Sequence, residues 1–311
     1  MVQCLYICGA GHSGSTLLDM LLGSHSRVAS LGEITNLPMD LATNSTCTCG
    51  QTVRDCELWS SVVREFEQRQ GLDLEKNPYA LNLGPSYAAA GDPRVTGGFY
   101  RLRRRLGAAL HYLELRAGLF GSFHWLLPTT YKGLENNLLL FDIVGRRLDA
   151  DFVVDSSKVY MKAVGLSKLA PDRVKILLPI RDGRAVYYSM RKRNYKRTFS
   201  LDSWYTHFRR ALPLIERHVP AGNVLTVKYE DLATDPEREL CRICAFAGIE
   251  FEPAMLDMKS KVHHNVNGNN MRFSKSSDIR LDNSWESKLS ADERAFFEER
   301  AGWLNRKLGY R

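Results

Sequence analysis

Residues 9–16 read Gly-Ala-Gly-His-Ser-Gly-Ser-Thr. A glycine-rich turn of this kind can hold phosphate or sulfate through its backbone N–H groups and the positive end of a following helix. A nucleoside triphosphatase needs lysine where Ser15 stands, to reach the terminal phosphates, and Thr16 to hold Mg²⁺. The chain has Gly9, Gly14 and Thr16 but not that lysine. It is equipped to grip an anion and poorly equipped for ATP chemistry. A second group lies in Leu178-Pro-Ile-Arg-Asp-Gly-Arg-Ala-Val-Tyr-Tyr-Ser-Met190, with Ser189 eight residues after Arg181. Arginine presents a planar fork of donors suited to a phosphate, and a serine two helical turns on can return beside it. The competing readings are an ordinary glycine turn and a strand-end arginine with no ligand.

These residues need a frame. Val2–Cys8, Asp151–Val154, Val174–Ile180 and Val224–Tyr229 are short, apolar or β-branched runs that read as buried parallel strands. Helical patterns follow three of them, at Leu17–Gly23, Arg184–Arg193 and Asp235–Ala247. The expected fold is a P-loop-like three-layer α/β/α arrangement around a central parallel sheet. Ligands on such sheets bind at the C-terminal strand ends, where the candidate groups fall. Helical stretches at Glu57–Arg69, Tyr100–Arg116 and Lys132–Leu148 alternate with loops, of which Asn77–Gly98 is the longest. They predict a helical insertion at about 39–150, lying over the strand ends as a lid or acceptor pocket. The segment from about 261 to 311 reads as a cofactor-covering loop and then an amphipathic helix, capped by Ser290 with Glu293 in a capping box. The whole of 1–311 is expected to be one domain.

Composition is that of an ordinary globular protein, 44% hydrophobic and 25% charged over 311 residues. A net charge of +8 suits an anionic ligand. No secretion signal or run of about 20 apolar residues is evident, so the expected compartment is the cytoplasm, with no membrane partner. The basic runs at Arg101, Arg103, Arg104 and Arg105 and at Arg191–Arg197 read as solvated faces. No nucleic-acid-binding module surrounds them. Seven scattered cysteines are not a disulfide scaffold. Cys47, Cys49 and Cys56 do cluster. They are open to three readings: zinc with a fourth ligand from elsewhere, a local disulfide, or reduced packed thiols. No histidine or fourth cysteine sits beside them at a finger-like spacing.

Taken together, the lysine-free loop His12-Ser-Gly-Ser-Thr16 and the Arg181–Ser189 pair resemble the sulfotransferases that use 3′-phosphoadenosine 5′-phosphosulfate. Arg181-Asp-Gly-Arg-Ala with Ser189-Met190, and Gly32-Glu33 followed by Pro38, look most like the tyrosylprotein sulfotransferase branch. Gly268-Asn-Asn-Met-Arg272, Trp285 and Gly309-Tyr310 are similar to bacterial relatives. The resemblance implies that Gly11, His12, Ser13, Gly14, Ser15 and Thr16 hold the 5′-phosphosulfate, and that Arg181 and Ser189 hold the 3′-phosphate. It implies Glu33 as the base that deprotonates the acceptor, Lys158 acting on the transferring group, and Tyr229 near the adenine. Arg272 is a candidate to close over the 3′-phosphate. The product is adenosine 3′,5′-bisphosphate, and no metal is implied for the transfer. The chain departs from the family at His12, where lysine or arginine is usual. A neutral imidazole can donate a hydrogen bond there but supplies no fixed charge.

The implied function is sulfuryl transfer to a hydroxyl or phenol on a small molecule, carbohydrate or peptide. The region from Met39 to Ala150 gives no match that would choose among these acceptors. Two other readings stand beside it. One is a P-loop kinase for a small metabolite. The other is a catalytically silent protein that binds adenosine bisphosphate and needs neither Glu33 nor Lys158. For those two residues the competing readings are a surface or capping carboxylate and an exposed lysine at a helix start.

Overall fold

The computed structural model describes residues 1–84, 98–274 and 276–311. Five parallel strands form one sheet: β1 (Gln3–Ile7), β2 (Val28–Ser30), β3 (Phe152–Asp155), β4 (Val174–Ile180) and β5 (Val224–Lys228). Their order is β2-β3-β1-β4-β5. In register, Leu5 stands opposite Val154 on one side and Lys175 on the other. The chain leaves β1 toward β2 and β3, then crosses to β4 on the other flank. The switch of direction therefore lies at β1, which is where such sheets bind ligands.

Alternation along β1 explains the layers. Cys4, Tyr6 and Cys8 face one buried layer, while Leu5 and Ile7 face the other. The second layer is made by α1 (Ser15–Gly23), α9 (Tyr229–Thr234) and α10 (Pro236–Ala247). The first contains α2 (Leu37–Thr43), α3 (Glu57–Gln70), α5 (Pro128–Leu148), α6 (Tyr160–Leu169), α7 (Gly183–Arg191), α8 (Arg197–His218) and α12 (Ala291–Lys307). It also takes in Leu115 of α4 (Gly98–Ala117), which lies against α6 and α8, and Trp285 of the short α11 (Trp285–Lys288), which lies against α7.

The four expected strands are present within a residue or two. The fifth, β2, has no sequence signal, because three residues carry no periodicity. Tyr229 accordingly follows the fifth strand, not the fourth, and opens α9. Five helices are also additions to the sequence reading: the short α2, α9 and α11, and the longer α6 and α8. α6 is buried on nearly all sides and shows no polar stripe, and α8 contains Pro213. The helical insertion differs from its expected position. α5 packs against β2 and β3 through a face that includes Leu134, Phe141 and Val144, and α3 packs on α5, burying Trp59, Val62 and Phe66 in the same core. The apolar stripes of both helices are too broad to be left over an open cleft. At the C-terminus Ser290 accepts from the Glu293 N–H at 3.2 Å. The Glu293 carboxylate turns to the Ser290 hydroxyl rather than to its backbone, so only half of the capping box forms. Most of Asn77–Gly98 lies outside the described residues, as do the side chains of Arg101, Arg103 and Arg104. Arg105 is exposed. Among the described residues, no helix is long and apolar enough to cross a membrane.

Candidate active site

Each of the five strands ends beside one candidate residue. The anion loop follows β1, Glu33 follows β2, Lys158 follows β3, Arg181 follows β4 and Tyr229 follows β5. Residues far apart in sequence thus meet at one edge of the sheet.

The loop is built for an anion. Gly14 caps α1 in the left-handed region at φ 82°, and no side chain caps that helix end. Its first N–H groups are therefore offered to a ligand. A Cβ at Gly14 would sit 2.6 Å from the Tyr229 ring, so glycine is required twice over. The Ser13 hydroxyl is fully buried and has no hydrogen-bond partner among the described residues. Ser15 is buried, and the Thr16 hydroxyl accepts from the Asn269 N–H at 3.5 Å. Beneath α1, Asp19 accepts from Ser30 (3.0 Å), Ser156 (2.9 Å) and Asn265 (2.8 Å). Burial pushes its carboxyl up to about 7. This network ties the helix to β2, β3 and the C-terminal segment, and nothing local in the sequence announces it.

Arg181 and Ser189 both reach His12. The Arg181 guanidinium donates to the His12 carbonyl at 3.1 Å, and the Ser189 hydroxyl lies 2.9 Å from His12 Nδ1. Arg181 also donates to the Asp282 carbonyl at 2.7 Å and stacks on the Tyr229 ring at 4.1 Å. Its Nε is buried without a hydrogen-bond partner among the described residues. Tyr229 accepts from the Asp282 N–H at 3.3 Å and donates to the Arg280 carbonyl at 3.2 Å. Burial lowers His12 to about 4, assisted by the charges of Arg193, Arg181 and Lys158. The imidazole is neutral at physiological pH, in a field of three cations. Arg191 and Arg197 are tied to Glu293 and Asp292, whereas Arg193 is exposed and acts on His12 from the expected solvated face.

The C-terminal helix fixes this corner. Asn305 accepts from the Gly183 N–H at 2.8 Å, and Tyr310 donates to Glu230 at 2.7 Å. Glu230 in turn accepts from the Asp182 N–H at 3.0 Å. Trp285 packs under Arg184, 4.6 Å from its guanidinium.

Glu33 and Lys158 form a direct ion pair, each about one-fifth exposed. Gly32, at φ 76°, makes a bridge to Val266, and the Glu33 N–H donates to the Val266 carbonyl at 2.9 Å. A Cβ at Gly268 would lie 3.7 Å from Glu33 and 3.8 Å from Thr16, so Glu33 and the loop are neighbours. Lys158 is itself in the left-handed region at φ 65°. Below it, Lys162 is fully buried in an ion pair with Asp155 at 2.9 Å and donates to Thr35 at 2.9 Å. Ser157 hydrogen-bonds Asp155 and accepts from the Thr35 N–H at 3.0 Å. This network holds the turns bearing Glu33 and Lys158 together. His207, to which the sequence assigns no role, packs edge-on to Tyr160 at 5.8 Å, and its buried Nε2 has no hydrogen-bond partner among the described residues. Burial lowers it to about 4.

Arg272 is placed differently. Its guanidinium bonds the Asn267 and Thr46 carbonyls, and no contact joins it to Arg181 or Ser189 among the described residues.

Comparison with known proteins bears on the motif reading. Residues 129–253 match the sequence model described as the sulfotransferase family, a stretch that contains Lys158, Arg181, Ser189 and Tyr229 but neither the anion loop nor Glu33. The sulfotransferase domain from the Synechococcus PCC 7002 olefin synthase is 21% identical, with 100% of this chain and 96% of that one covered and a TM-score of 0.53. The sulfotransferase domain from the curacin biosynthetic pathway is 16% identical, covering 100% and 99%, with a TM-score of 0.46. Sulfotransferase STF9 from Mycobacterium avium is 14% identical, covering 96% and 76%, with a TM-score of 0.41. No curated protein matches the chain. This chain is sulfotransferase-like in sequence over 129–253 and in fold over its whole length.

Proposed function

We propose that the protein transfers a sulfuryl group from 3′-phosphoadenosine 5′-phosphosulfate to a hydroxyl or phenol of a small molecule, carbohydrate or peptide. The observation that carries this reading is the meeting of Arg181 and Ser189 on His12, at the mouth of a lysine-free anion loop. The unpartnered Ser13 hydroxyl and Arg181 Nε fit an anionic nucleotide. So do the uncapped start of α1 and the three cations around His12.

The donor supplies a sulfuryl group already activated on a 5′-phosphate. The chain's own part is positioning and charge stabilisation. The loop N–H groups, Ser15 and Thr16 bind the 5′-phosphate and take up the charge left on it, and His12 adds a neutral donor. Arg181 and Ser189 hold the 3′-phosphate. Lys158 offsets charge on the transferring group. Glu33 accepts the acceptor's proton as the new oxygen–sulfur bond forms. The Glu33–Lys158 pair gives both residues a common address at the transfer point, which a silent nucleotide-binding protein would not need.

The test is calorimetric titration with adenosine 3′,5′-bisphosphate, AMP and Mg·ATP. Binding of the bisphosphate alone supports the reading, and sulfate transfer from the phosphosulfate donor to a panel of phenols and sugars then finds the acceptor class. Preference for Mg·ATP would favour a kinase. Bisphosphate binding without any transfer would favour the silent binder.

A further inference from the structure

The hairpin at 45–56 has almost no core of its own. Thr46 and Thr52 form its single bridge, and Val53 is its buried aliphatic residue. A hairpin this small is marginal without further support. Yet Cys47 and Cys56 are fully buried in it, and Cys49 is half-buried. The fourth ligand that sequence spacing lacked comes from the far end of the chain. His264 brings Nδ1 to 3.2 Å from Cys56 Sγ. The ligand atoms of Cys47, Cys49, Cys56 and His264 all lie within 4.8 Å of one another. None of the cysteines is in a disulfide.

We propose that Cys47, Cys49, Cys56 and His264 form a structural zinc site that staples this hairpin to the C-terminal segment. Three thiolates and one imidazole are a usual closed, four-coordinate set for Zn²⁺. A tetrahedral site with zinc–sulfur bonds of about 2.3 Å puts ligand atoms about 3.8 Å apart, so the widest separations, within 4.8 Å here, close by up to about 1 Å on binding. The surroundings are ordered in the way metal ligands require. Trp59 donates to the His264 carbonyl at 2.7 Å, which fixes the histidine backbone. The Thr48 hydroxyl donates to the His263 carbonyl and accepts from the Asn265 N–H, both at 2.7 Å. Zinc with three thiolates carries a net charge of −1. The buried guanidinium of Arg272, bonded to the Thr46 carbonyl beside Cys47, supplies the compensating charge.

The staple has a consequence at the candidate active site. His264 is followed directly by Asn265, which bonds Asp19 under the loop helix, and by Val266, which holds the Glu33 backbone. Gly268 then sits against Glu33 and Thr16. The four ligands leave no open position, so the metal orders this segment and takes no part in the transfer.

The test is metal analysis of the full-length, tag-free protein purified without added metal. About one zinc per chain is expected, with X-ray absorption fitting three sulfurs at about 2.3 Å and one nitrogen at about 2.0 Å. Cobalt exchanged into the site should give the intense visible absorption of a tetrahedral centre with thiolate charge-transfer bands. Cys49→Ser and His264→Gln should each weaken zinc binding by more than about tenfold. Their effects are read by competition with a chromogenic chelator, and cobalt spectra of the wild type do not depend on whether either variant folds. Three free titratable thiols with no metal, a cysteine–cysteine disulfide in the mass spectrum, or a metal bound only through oxygen would each overturn the proposal.

Discussion

Glu33 and Lys158, separated by 125 residues, form an ion pair across the ends of two strands at the mouth of the anion loop. Neither strand end is next to the loop in sequence. β3 lies between β1 and β2 in the sheet, and that order is what joins them. The pair is partly exposed, so its worth to stability is small. Its importance lies in holding a carboxylate and an ammonium at one place.

If Glu33 is the base, Glu33→Gln lowers turnover by about 10²–10⁴ and leaves bisphosphate affinity nearly unchanged. Lys158→Ala lowers turnover too. The double variant should cost less than the two single effects combined, because residues in contact do not act independently. Steady-state turnover of the four proteins with one acceptor reads this directly. Near-normal turnover of Glu33→Gln would remove it as the base.

Arg181→Ala should weaken bisphosphate binding by about 2–5 kcal/mol, the scale of a buried charged contact broken on one side. Ser189→Ala should cost only about 0.5–1.5 kcal/mol, the scale of one hydrogen bond. Neither variant should lose affinity for adenosine 5′-phosphosulfate, which has no 3′-phosphate. Calorimetry with both ligands separates loss of the 3′-phosphate site from general disruption. Equal losses for both ligands would mean that Arg181 acts through the Asp282 carbonyl and the Tyr229 ring.

Three histidines make folding acid-sensitive. Burial, first among the causes, lowers His12, His207 and His263 to about 4 from the ordinary value of 6.5. Between those values the unfolded chain holds more protons than the native one, so stability rises with pH across the window. Their contribution is fully present above about 6.5 and is lost as pH falls toward 4. Asp19, raised to about 7, and Asp40, also raised by burial, work in the opposite sense, but the lowered histidines, with His111 and His218 beside these three, outnumber them. The urea midpoint should therefore fall from about pH 6.5 to about pH 4.5, and His263→Gln should flatten the slope. A midpoint constant over that range would contradict this account.

What can be read from the sequence is what lies close together in it. The anion loop is contiguous, Ser189 follows Arg181 at helical spacing, and Glu33 comes soon after the loop helix. Long-range groupings are not legible. His264 reaches Cys56 across 208 residues, and Asn265 reaches Asp19 across 246. Lys162 and His207 lie on helices whose burial or proline hides their period. Arg272 is expected to close over the 3′-phosphate from the C-terminal loop. The structure has its guanidinium on the Asn267 and Thr46 carbonyls, the second of them 226 residues away in the chain.

Gly14 and Gly11 offer a contrast within the loop. At Gly14 the backbone is left-handed, and an added methyl would sit 2.6 Å from a Tyr229 ring carbon. Gly14→Ala must accept strain of about 1–3 kcal/mol or push Tyr229 off Arg181, and it should lose both stability and bisphosphate binding. At Gly11 an added methyl meets nothing within 4 Å. Gly11→Ala should keep or raise stability, by about 0.4–1 kcal/mol, through a less flexible unfolded chain. Any affinity it loses then measures how closely the phosphate approaches the loop backbone. Thermal melts with and without the bisphosphate distinguish the cases: Gly14→Ala should melt lower and gain little from ligand, while Gly11→Ala should melt at or above the parent. Equal melting of the two variants would mean that contact with Tyr229 does not control the loop.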